Sequence, residues 1–443
     1  MTRRHRLSTL GLAALLLGPP STALATDGHF LHGVGAINSA MGGLGVAASS
    51  SLLGALYSNP AGLLSFRGTS TELGFEMFKA ERTIESRAGE FGGSTTSGSQ
   101  YVPIPAFGWS REIRPQRLVV GVGGLGIGGF GVDYHVDATN PILSSRPNGF
   151  GEIYSNFSLM KIIPGAAWQA TPKLRLGAAV NVDWASLAVD PMAIAAPAVD
   201  PGPDGTPGTA DDRAYYSRAT DAAGAFGIGA QLGLQYITES SIAVGLAYTT
   251  PQRFQTFEYG AVYENPNLSS YNTARTIRFA MDVPAVYAAG IAWVPAPALT
   301  VGVDAKYITY SRTRGFAKSG FAPDGAVRGF GWNDIWSIAT GFELWPNDHV
   351  AFRAGYNYSG NPIPESLTMF NAPAPAIVRN HLTLGAGYKF GDLGVDVAWY
   401  KAFRNSITGP MQTMAGAAPG TSVTSTMSES SMLMGFTYNP LRR

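Results

Sequence analysis

Apolar residues alternate one by one with small or polar residues through long stretches of this chain. In residues 174–184 one face carries Leu, Leu, Ala, Val, Val and Trp, and the other carries Arg, Gly, Ala, Asn and Asp. A period of two residues is that of a β-strand. The same alternation recurs at 226–236, 299–307, 350–358 and 382–390. Stretches of about 10 residues cross a bilayer at a tilt, whereas strands of soluble proteins are typically about 5–6 residues long.

The alternation and the connections together predict about fourteen strands, an even number as single-chain membrane barrels require. Six short connections, at 113–116, 171–173, 238–240, 295–297, 346–348 and 391–393, alternate with long ones. Short periplasmic turns and long external loops are the expected asymmetry, so both chain ends are predicted to be periplasmic. The predicted strands are 69–84, 101–112, 117–130, 153–170, 174–188, 223–237, 241–259, 274–294, 298–313, 332–345, 349–360, 378–390, 394–408 and 427–438.

The predicted fold class is therefore all-β, a transmembrane antiparallel barrel that occupies residues 68–443. A water-soluble all-β secreted protein is the alternative, and the strand length argues against it. In a barrel the small and polar faces line the lumen, and aromatic residues at strand ends form girdles at the two membrane interfaces. The predicted girdle residues are Trp168, Tyr236, Trp293, Trp345, Tyr388 and Trp399.

The N-terminus has the features of a cleavable export signal. Arg3, Arg4 and Arg6 precede an apolar stretch at 7–17, and Ala23-Leu24-Ala25 is the small-x-small pattern that signal peptidase cuts. An uncleaved anchor is excluded by length, because about 11 apolar residues cannot span a bilayer core that needs about 20. Residues 1–25 are predicted to be a signal peptide, and the protein is predicted to reside in the outer membrane of a Gram-negative bacterium.

Composition removes several classes of function. Only 14 % of residues are charged and the net charge is +1, which gives no basic surface for nucleic acid. The absence of Cys excludes disulfides and thiolate metal sites, and the six histidines show no HExxH spacing. We therefore expect no cofactor.

Residues 26–67 do not alternate and are rich in small residues, which predicts a hatch, or plug, that fills the lumen of a wide barrel. The stretch from Gly33 to Ala47, followed by Tyr57-Ser58-Asn59-Pro60-Ala61-Gly62-Leu63, resembles the N-terminal hatch of the FadL/TodX family of outer-membrane transporters for hydrophobic compounds. Three later blocks resemble the same family: 282–293, 332–356 and 382–390. The resemblance covers nearly the whole mature chain.

The resemblance implies a 14-stranded barrel with a small hatch and passive uptake of long-chain fatty acids or of aromatic or aliphatic hydrocarbons. It also implies sideways release into the outer membrane through an inward kink of the third strand, beside the Asn59, Pro60 and Ala61 of the hatch. Asn-Pro would then be a rigid turn that holds the hatch at the opening, although Asn-Pro also occurs in ordinary turns.

Glycines crowd the predicted third strand, and glycine inside a strand weakens it and marks bulges or close backbone approach. They supply a physical basis for a kink, although they would also relieve crowding where the hatch touches the wall. The predicted lateral-opening residues are Gly121, Gly123, Gly124, Gly126, Gly128 and Gly129.

Three apolar residues near the start of the hatch, Phe30, Leu31 and Ile37, are predicted to contact the ligand. The loop at 200–212 is acidic and glycine-rich, and its oxygens suit Ca²⁺, but it is not an EF-hand and a solvated external loop is the simpler explanation of the composition. Its candidate ligands are Asp200, Asp204, Asp211 and Asp212. A metal site is not otherwise predicted.

Two rival functions fit the sequence less well. An enzyme is not expected, because there is no GxSxG elbow and His135, His349 and His381 are isolated at predicted strand ends. A general diffusion porin or a structural barrel is the alternative, but a porin needs a charged constriction and no plug. The expected partners are a hydrophobic small molecule, outer-membrane lipid and lipopolysaccharide, and the assembly machinery. The assembly machinery is expected to recognise Phe436 and Tyr438, which precede the terminal residues Asn439–Arg443. We expect a monomer.

We predict processing after Ala25, because Ala23 and Ala25 follow an apolar stretch of suitable length. N-terminal sequencing of the outer-membrane form measures this directly, and the first residue should be Thr26. A mature protein that retains Met1 would refute export by a cleaved signal.

Overall fold

The structure, a computed structural model, describes residues 27–98, 100–206 and 212–440. The signal peptide predicted at 1–25 and the candidate ligand Asp211 lie outside these residues. No helix in the described part of the chain is both long and apolar enough to cross a membrane.

Fourteen antiparallel strands close into one barrel, as the alternation predicts. Each strand pairs with its chain neighbours, and the last strand pairs with the first, where Thr71 lies opposite Tyr438. The strands are β1 Thr69–Ala88, β2 Val102–Arg114, β3 Leu118–Tyr134, β4 Ile153–Gln169, β5 Leu174–Asp190, β6 Ala219–Ile237, β7 Ile242–Thr249, β8 Val286–Ala296, β9 Leu299–Ile308, β10 Ile335–Leu344, β11 Val350–Ser359, β12 Asn380–Phe390, β13 Leu393–Gly409 and β14 Thr421–Tyr438.

The predicted strands 241–259 and 274–294 are too long at one end. β7 ends at Thr249 and β8 begins at Val286, and the residues between them fold into a separate hairpin. This hairpin also alternates, because Phe257, Tyr259 and Ile277 are buried while Glu258 and Arg278 are exposed. A period of two identifies a strand but not the sheet to which it belongs. The prediction therefore joined the strands of the loop hairpin to the barrel strands β7 and β8.

Short strands and 3₁₀ turns lie in the long loops at one end of the barrel. The loop hairpin pairs Phe257–Val262 with Ala274–Phe279, and the other short strands are Phe91–Thr96, Ala198–Asp200, Arg213–Tyr215, Arg253–Phe254, Gln412–Thr413 and Gly416–Ala417. The 3₁₀ turns are Pro141–Leu143, Tyr310–Arg312, Glu365–Leu367 and Met369–Asn371.

The segment before β1 lies inside the barrel. It contains helix α1 (Ala36–Ala40), helix α2 (Leu52–Ser58) and a 3₁₀ helix (Pro60–Ser65), and nearly all of its residues from 27 to 64 are buried. Both helices contact wall strands. We call this segment the hatch, and it fills the half of the lumen nearest the short turns.

Because the closed sheet satisfies its own backbone hydrogen bonds, we expect the barrel to resist dodecyl sulfate until boiled. Boiled and unboiled samples should run at different positions on a gel, and the unboiled form should give a β-type circular dichroism spectrum. Equal mobility of the two samples would contradict a closed barrel.

Candidate functional site

Wall carboxylates hold the hatch through its backbone amides. Glu72 of β1 accepts hydrogen bonds from the Ser51 hydroxyl (2.8 Å) and from the amides of Leu52 (2.6 Å) and Leu53 (3.2 Å) at the start of α2. On the opposite wall, Asp304 of β9 accepts from the amides of Gly45 (2.8 Å) and Val46 (2.9 Å). Hydrogen bonds to charged groups contribute about 1.5–3 kcal/mol each. The hatch is therefore fixed at both sides of the lumen.

Glycines on the inner wall allow the hatch backbone to approach closely. On nearly every strand, a Cβ atom at one inward glycine would come within 4 Å of a hatch atom; at Gly341 it would lie 2.6 Å from the Met41 carbonyl oxygen. Several of these glycines face one another across neighbouring strands, as Gly177 faces Gly233. We call these residues the ring of wall glycines: Gly74, Gly108, Gly121, Gly123, Gly177, Gly233, Gly245, Gly290, Gly302, Gly341, Gly355, Gly385 and Gly435.

The Asn59, Pro60 and Ala61 of the hatch motif lie against β5, β6 and β7. The Asn59 side-chain amide donates to the Val46 carbonyl (2.7 Å) and to the Leu234 carbonyl of β6 (3.1 Å), and its oxygen caps the Ala61 amide (3.0 Å). The resemblance implied a place beside the third strand, but Asn59 contacts the wall three strands further on. In this structure the motif fastens the hatch to the wall.

Two charged lumen residues are held in buried ion pairs. Arg353 of β11 bridges Glu343 (2.6 Å) and Asp396 (2.7 Å), and Lys306 of β9 pairs with Asp27 at the start of the hatch (2.8 Å). Removing one partner of a buried pair typically costs about 3–5 kcal/mol, because a charge is left uncompensated. Arg353 therefore has a structural role below the hatch, and Lys306 is largely neutralised.

The wall is not continuous between β2 and β3. Pairing between them begins at the short-turn end and stops at Ala106 opposite Leu125. Above this point β2 pairs only with β1, and β3 pairs only with β4. Pro103 and Pro105 lie in the unpaired part of β2, where they have no N–H to donate. We call this unpaired stretch, opposite residues 126–132 of β3, the seam.

The hatch supplies hydrogen bonds to β3 at the seam. A bulge lies between Gly126 and Gly128, and there Ile127 accepts from the Leu31 amide (2.9 Å) while the Gly129 amide donates to the His29 carbonyl (3.0 Å). At the loop end the seam closes again, where the Gly98 amide donates to the Asp133 carbonyl (2.9 Å). The seam is thus a bounded opening in the wall with the start of the hatch behind it.

The six glycines predicted on the third strand all lie on β3, but they face different surroundings. A Cβ atom at Gly121, Gly123 or Gly128 would contact the hatch, and one at Gly126 would meet Ile104 across the seam. At Gly129 it would meet the β4 backbone, whereas at Gly124 it would find open space. Close approach of the hatch and a bulge therefore both occur in one strand.

An apolar cavity of about 80 Å³ lies above the hatch, under the long loops. Its wall is built from β3, β4 and β5 and from five of the long connections, and none of its lining side chains is ionised. We call it the outer cavity. The aromatic residues and methionines that line it are Phe130, Phe150, Met192, Tyr216, Phe279, Phe321, Phe330, Met369 and Phe370.

An aromatic cluster forms the floor of the outer cavity, with His29 of the hatch at its centre. The His29 ring stacks on Phe316 (5.3 Å between centroids) and contacts Phe130 and Trp332. Burial lowers the pKa of His29 to about 3. The ring is therefore neutral at physiological pH and adds to an apolar surface.

A second cavity, the inner cavity, lies on the other side of residues 29–30 and has a volume of about 60 Å³. The bulge residue Ile127, Phe30 and Tyr57 give it apolar walls, and Lys161 and Lys306 bring cations to it. Lys161 lies 3.8 Å from Asp183, a looser contact than that between Lys306 and Asp27. This cavity is therefore the one that combines apolar surface with charge.

Of the three predicted ligand contacts, Phe30 lines the inner cavity, next to the seam. Leu31 and Ile37 are buried in the packing of the hatch, and neither is among the lining residues of the two cavities. The outer cavity could not be predicted from the sequence, because its aromatic rings come from six separate segments. His29 was also missed, since one histidine beside Phe30 carries no periodic signal.

The acidic loop begins with two turns that are closed by its own carboxylates. Asp200 accepts from the Gly202 amide (3.1 Å) and Asp204 from the Thr206 amide (2.7 Å). In the described part of the chain, three potential metal-ligand atoms lie within 4.8 Å of one another at Asp133, His135 and Glu152, at the loop end of β3. This group does not include the predicted acidic loop. Calcium binding by Asp200, Asp204, Asp211 and Asp212 stays a prediction.

Replacing Gly128 by Val should detach the start of the hatch from β3, because the new Cβ would overlap the His29 carbonyl oxygen. Two backbone hydrogen bonds would be lost, worth about 1–3 kcal/mol together, so the Leu31 and Gly129 amides should exchange hydrogen at least about fivefold faster. Gly124→Val, whose side chain enters open space, is the matched control. Equal exchange in both variants would contradict the described contact.

Comparison with known proteins agrees with this architecture. The sequence pattern of the family described as outer membrane protein transport protein (OMPP1/FadL/TodX) matches residues 24–440. A search of the curated proteins gives no match.

Three solved structures illustrate the likeness. The toluene transporter TodX of P. putida is 21 % identical, with a TM-score of 0.69 over 92 % of this chain and 99 % of that one. A FadL homologue of Pseudomonas aeruginosa is 14 % identical (TM-score 0.70; 93 % and 100 %), and the toluene transporter TbuX of Ralstonia pickettii is 22 % identical (0.64; 92 % and 98 %). At these low identities the solved structures support the fold alone. Family membership is shown by the match of the family pattern to residues 24–440: the chain belongs to the OMPP1/FadL/TodX family of outer-membrane transporters for hydrophobic compounds.

Proposed function

We propose that this protein carries out passive uptake of hydrophobic molecules across the outer membrane, with lateral release through the seam between β2 and β3. The seam is the observation that carries the proposal. In this proposal residues 26–67 act as the hatch and 68–443 as the barrel, after removal of residues 1–25. The long loops face the outside and both chain ends face the periplasm.

The route begins at the outer cavity. An apolar molecule that leaves water for its walls gains about 25 cal/mol for each Å² of apolar surface removed from water. No energy source is required for this step, because the molecule moves from water to an apolar surface and then to lipid. Phe130 of β3 belongs to both the outer cavity and the aromatic cluster, so the path continues towards the seam.

A straight path to the periplasm is opposed by the fixed hatch. Carboxylates on β1 and β9 hold its amides, and the ring of wall glycines leaves its backbone no clearance. At the seam, by contrast, three hatch residues (29–31) and the side chain of Ile104 stand between the lumen and the membrane. Lateral exit therefore requires the smaller rearrangement.

The proposed substrates are long-chain fatty acids or aromatic or aliphatic hydrocarbons. The uncharged outer cavity suits both classes, and two of the similar structures are described as toluene transporters. A carboxylate would meet cations at the inner cavity, where Lys161 is only loosely paired. The proposed activity is transport and not catalysis.

A disulfide across the seam tests lateral exit. A Cβ atom at Gly126 would lie 3.8 Å from the Ile104 Cβ. This matches the mean Cβ–Cβ distance in disulfides, about 3.8 Å. The chain contains no native cysteine that could form a competing disulfide. The double variant Ile104→Cys, Gly126→Cys should lose uptake of radiolabelled toluene and oleate when oxidised, and regain it on reduction.

The matched control joins strands that are already paired. In Gly394→Cys, Thr437→Cys the Cβ atoms would be 3.7 Å apart within the continuous β13–β14 ladder and would not meet the hatch, so its oxidised form should transport normally. Normal uptake by the oxidised seam variant would refute lateral exit there and favour a path through the hatch. Absence of uptake in the wild type would refute transport of these substrates.

A further inference from the structure

The outer surface of three neighbouring strands changes from apolar to polar at one common level. On β14 the outward residues from the chain end upwards are Tyr438, Phe436, Met434 and Met432, and all four are well exposed. Every outward residue above them is Ser or Thr: Ser430, Ser428, Thr426, Thr424 and Ser422. The apolar part faces lipid, so the change marks the edge of the bilayer core.

Basic residues flank β14 just above this edge. Ser430 is paired with Lys79 of β1 on one side and with Lys401 of β13 on the other. The two lysines are thus two strand spacings apart, about 10 Å. One step higher, a bulge between Ala402 and Asn405 exposes Phe403 and Arg404.

The height of these cations follows from strand geometry. Eight residues separate Tyr438 from Ser430, which is about 26 Å along the strand and about 20 Å along the barrel axis at a tilt of about 40°. The apolar band of such a barrel is about 25 Å tall. Lys79, Lys401 and Arg404 therefore lie where the long side chains of cations reach the headgroups of one leaflet.

These cations are available to a ligand. Lys401 and Arg404 form no ion pair with any residue of the described part of the chain, whereas Lys79 contacts the exposed Glu81 at 3.6 Å and lies 5.5 Å from the centroid of the exposed Tyr101 ring. Such exposed pairs contribute little, about 0–1 kcal/mol. At the corresponding level above the exposed Met160 and Trp184, β4 and β5 carry Ser158 and Ser186, which are uncharged. The β4–β5 wall therefore carries no cation at this level.

A ladder of hydroxyls continues upwards from the cations. Across β13 and β14 the side chains pair as Ser406 with Thr426 (2.7 Å) and Thr408 with Thr424 (2.8 Å). β13, β14 and β1 have 17, 18 and 20 residues, whereas β9 to β11 have 10 each, so this side of the wall rises well beyond the bilayer. A polar sheet lined with hydroxyls above the membrane surface fits a sugar better than a phospholipid headgroup, which ends at that surface.

We propose that Lys79, Lys401 and Arg404 bind the phosphate groups of a phosphorylated glycolipid of the outer leaflet, with Ser430 between the two lysines, while the hydroxyl ladder contacts its sugars. Clustered Lys and Arg at a membrane surface bind anionic headgroups. The site is on the outer surface of the barrel and is separate from the cavities and the seam. It rests on the proposed orientation, with the long loops outside.

The test uses the full-length barrel in phospholipid nanodiscs and a titration with a diphosphorylated glycolipid of the lipid A type. The triple variant Lys79→Ala, Lys401→Ala, Arg404→Ala should bind it at least about tenfold more weakly than the wild type. Lys79→Arg, Lys401→Arg, Arg404→Lys should retain binding. The matched control Arg111→Ala, Arg114→Ala, Arg117→Ala removes three exposed charges at the short-turn end and should bind as the wild type does.

The alternatives give distinct results. Equal affinity of the triple variant and the wild type would overturn the site. Equal affinity of the wild type for the dephosphorylated glycolipid would overturn phosphate recognition, and equal affinity for phosphatidylglycerol would overturn the commitment to a glycolipid. The triple variant should keep its heat modifiability, which distinguishes loss of this site from misfolding. It should also keep toluene uptake, which distinguishes loss of this site from failure of the transport proposal.

Orientation is measured separately with single cysteines and a membrane-impermeant maleimide on intact cells. Tyr271→Cys, in an exposed long loop, should react, and Glu239→Cys, in an exposed short turn, should not. The reverse labelling would place the cations in the inner leaflet and overturn the proposed ligand.

Discussion

The structure depends on the close approach between the hatch backbone and the inner faces of the wall strands. A barrel of fourteen strands encloses more space than its own side chains fill, and here a chain segment of about forty residues fills it. Glycine makes this possible, because a Cβ at Gly245 or Gly355 would overlap the hatch main chain. The amides that the hatch buries are satisfied by wall carboxylates, chiefly Glu72 and Asp304. Burial of such amides without partners would cost about 1–3 kcal/mol each.

The same constraint explains why the seam lies where it does. The hatch fills the lower lumen and therefore lies directly behind the unpaired edge of β3. Residues 29–31 of the hatch form backbone hydrogen bonds with this edge at the bulge of β3. β2 cannot cover that edge, since it turns away with β1 above Ala106 and contains Pro103 and Pro105. The hatch therefore both blocks the lumen and completes the wall, so a movement of its first residues would affect the wall and both cavities together.

The sequence predicted the barrel because every membrane strand must present one lipid-facing side, and this imposes a period of two on the chain. The count of fourteen, the family and the filled lumen are confirmed. The limits at 241–259 and 274–294 were wrong because a loop hairpin has a buried face of its own, at Phe257 and Tyr259. The cavities could not be predicted, since rings such as Phe150 and Phe370 meet only after the long loops fold over the barrel. Glycines on the polar faces of 174–184 and 226–236 were visible in the sequence, but not which hatch atom each would meet.

Strand length divides the barrel into a tall side and a short side. β13, β14 and β1 to β6 have 13 to 20 residues, whereas β7 to β12 have 8 to 11. The seam and the strands that line the outer cavity belong to the tall side, so the proposed route of the hydrophobic molecule runs beside strands that project past the bilayer. Above the short side the loops close inwards, and Ile377 and Val378 between β11 and β12 are fully buried. An apolar molecule in the outer cavity therefore lies between the tall wall and the loops of the short side, next to the stretch where the wall opens to lipid.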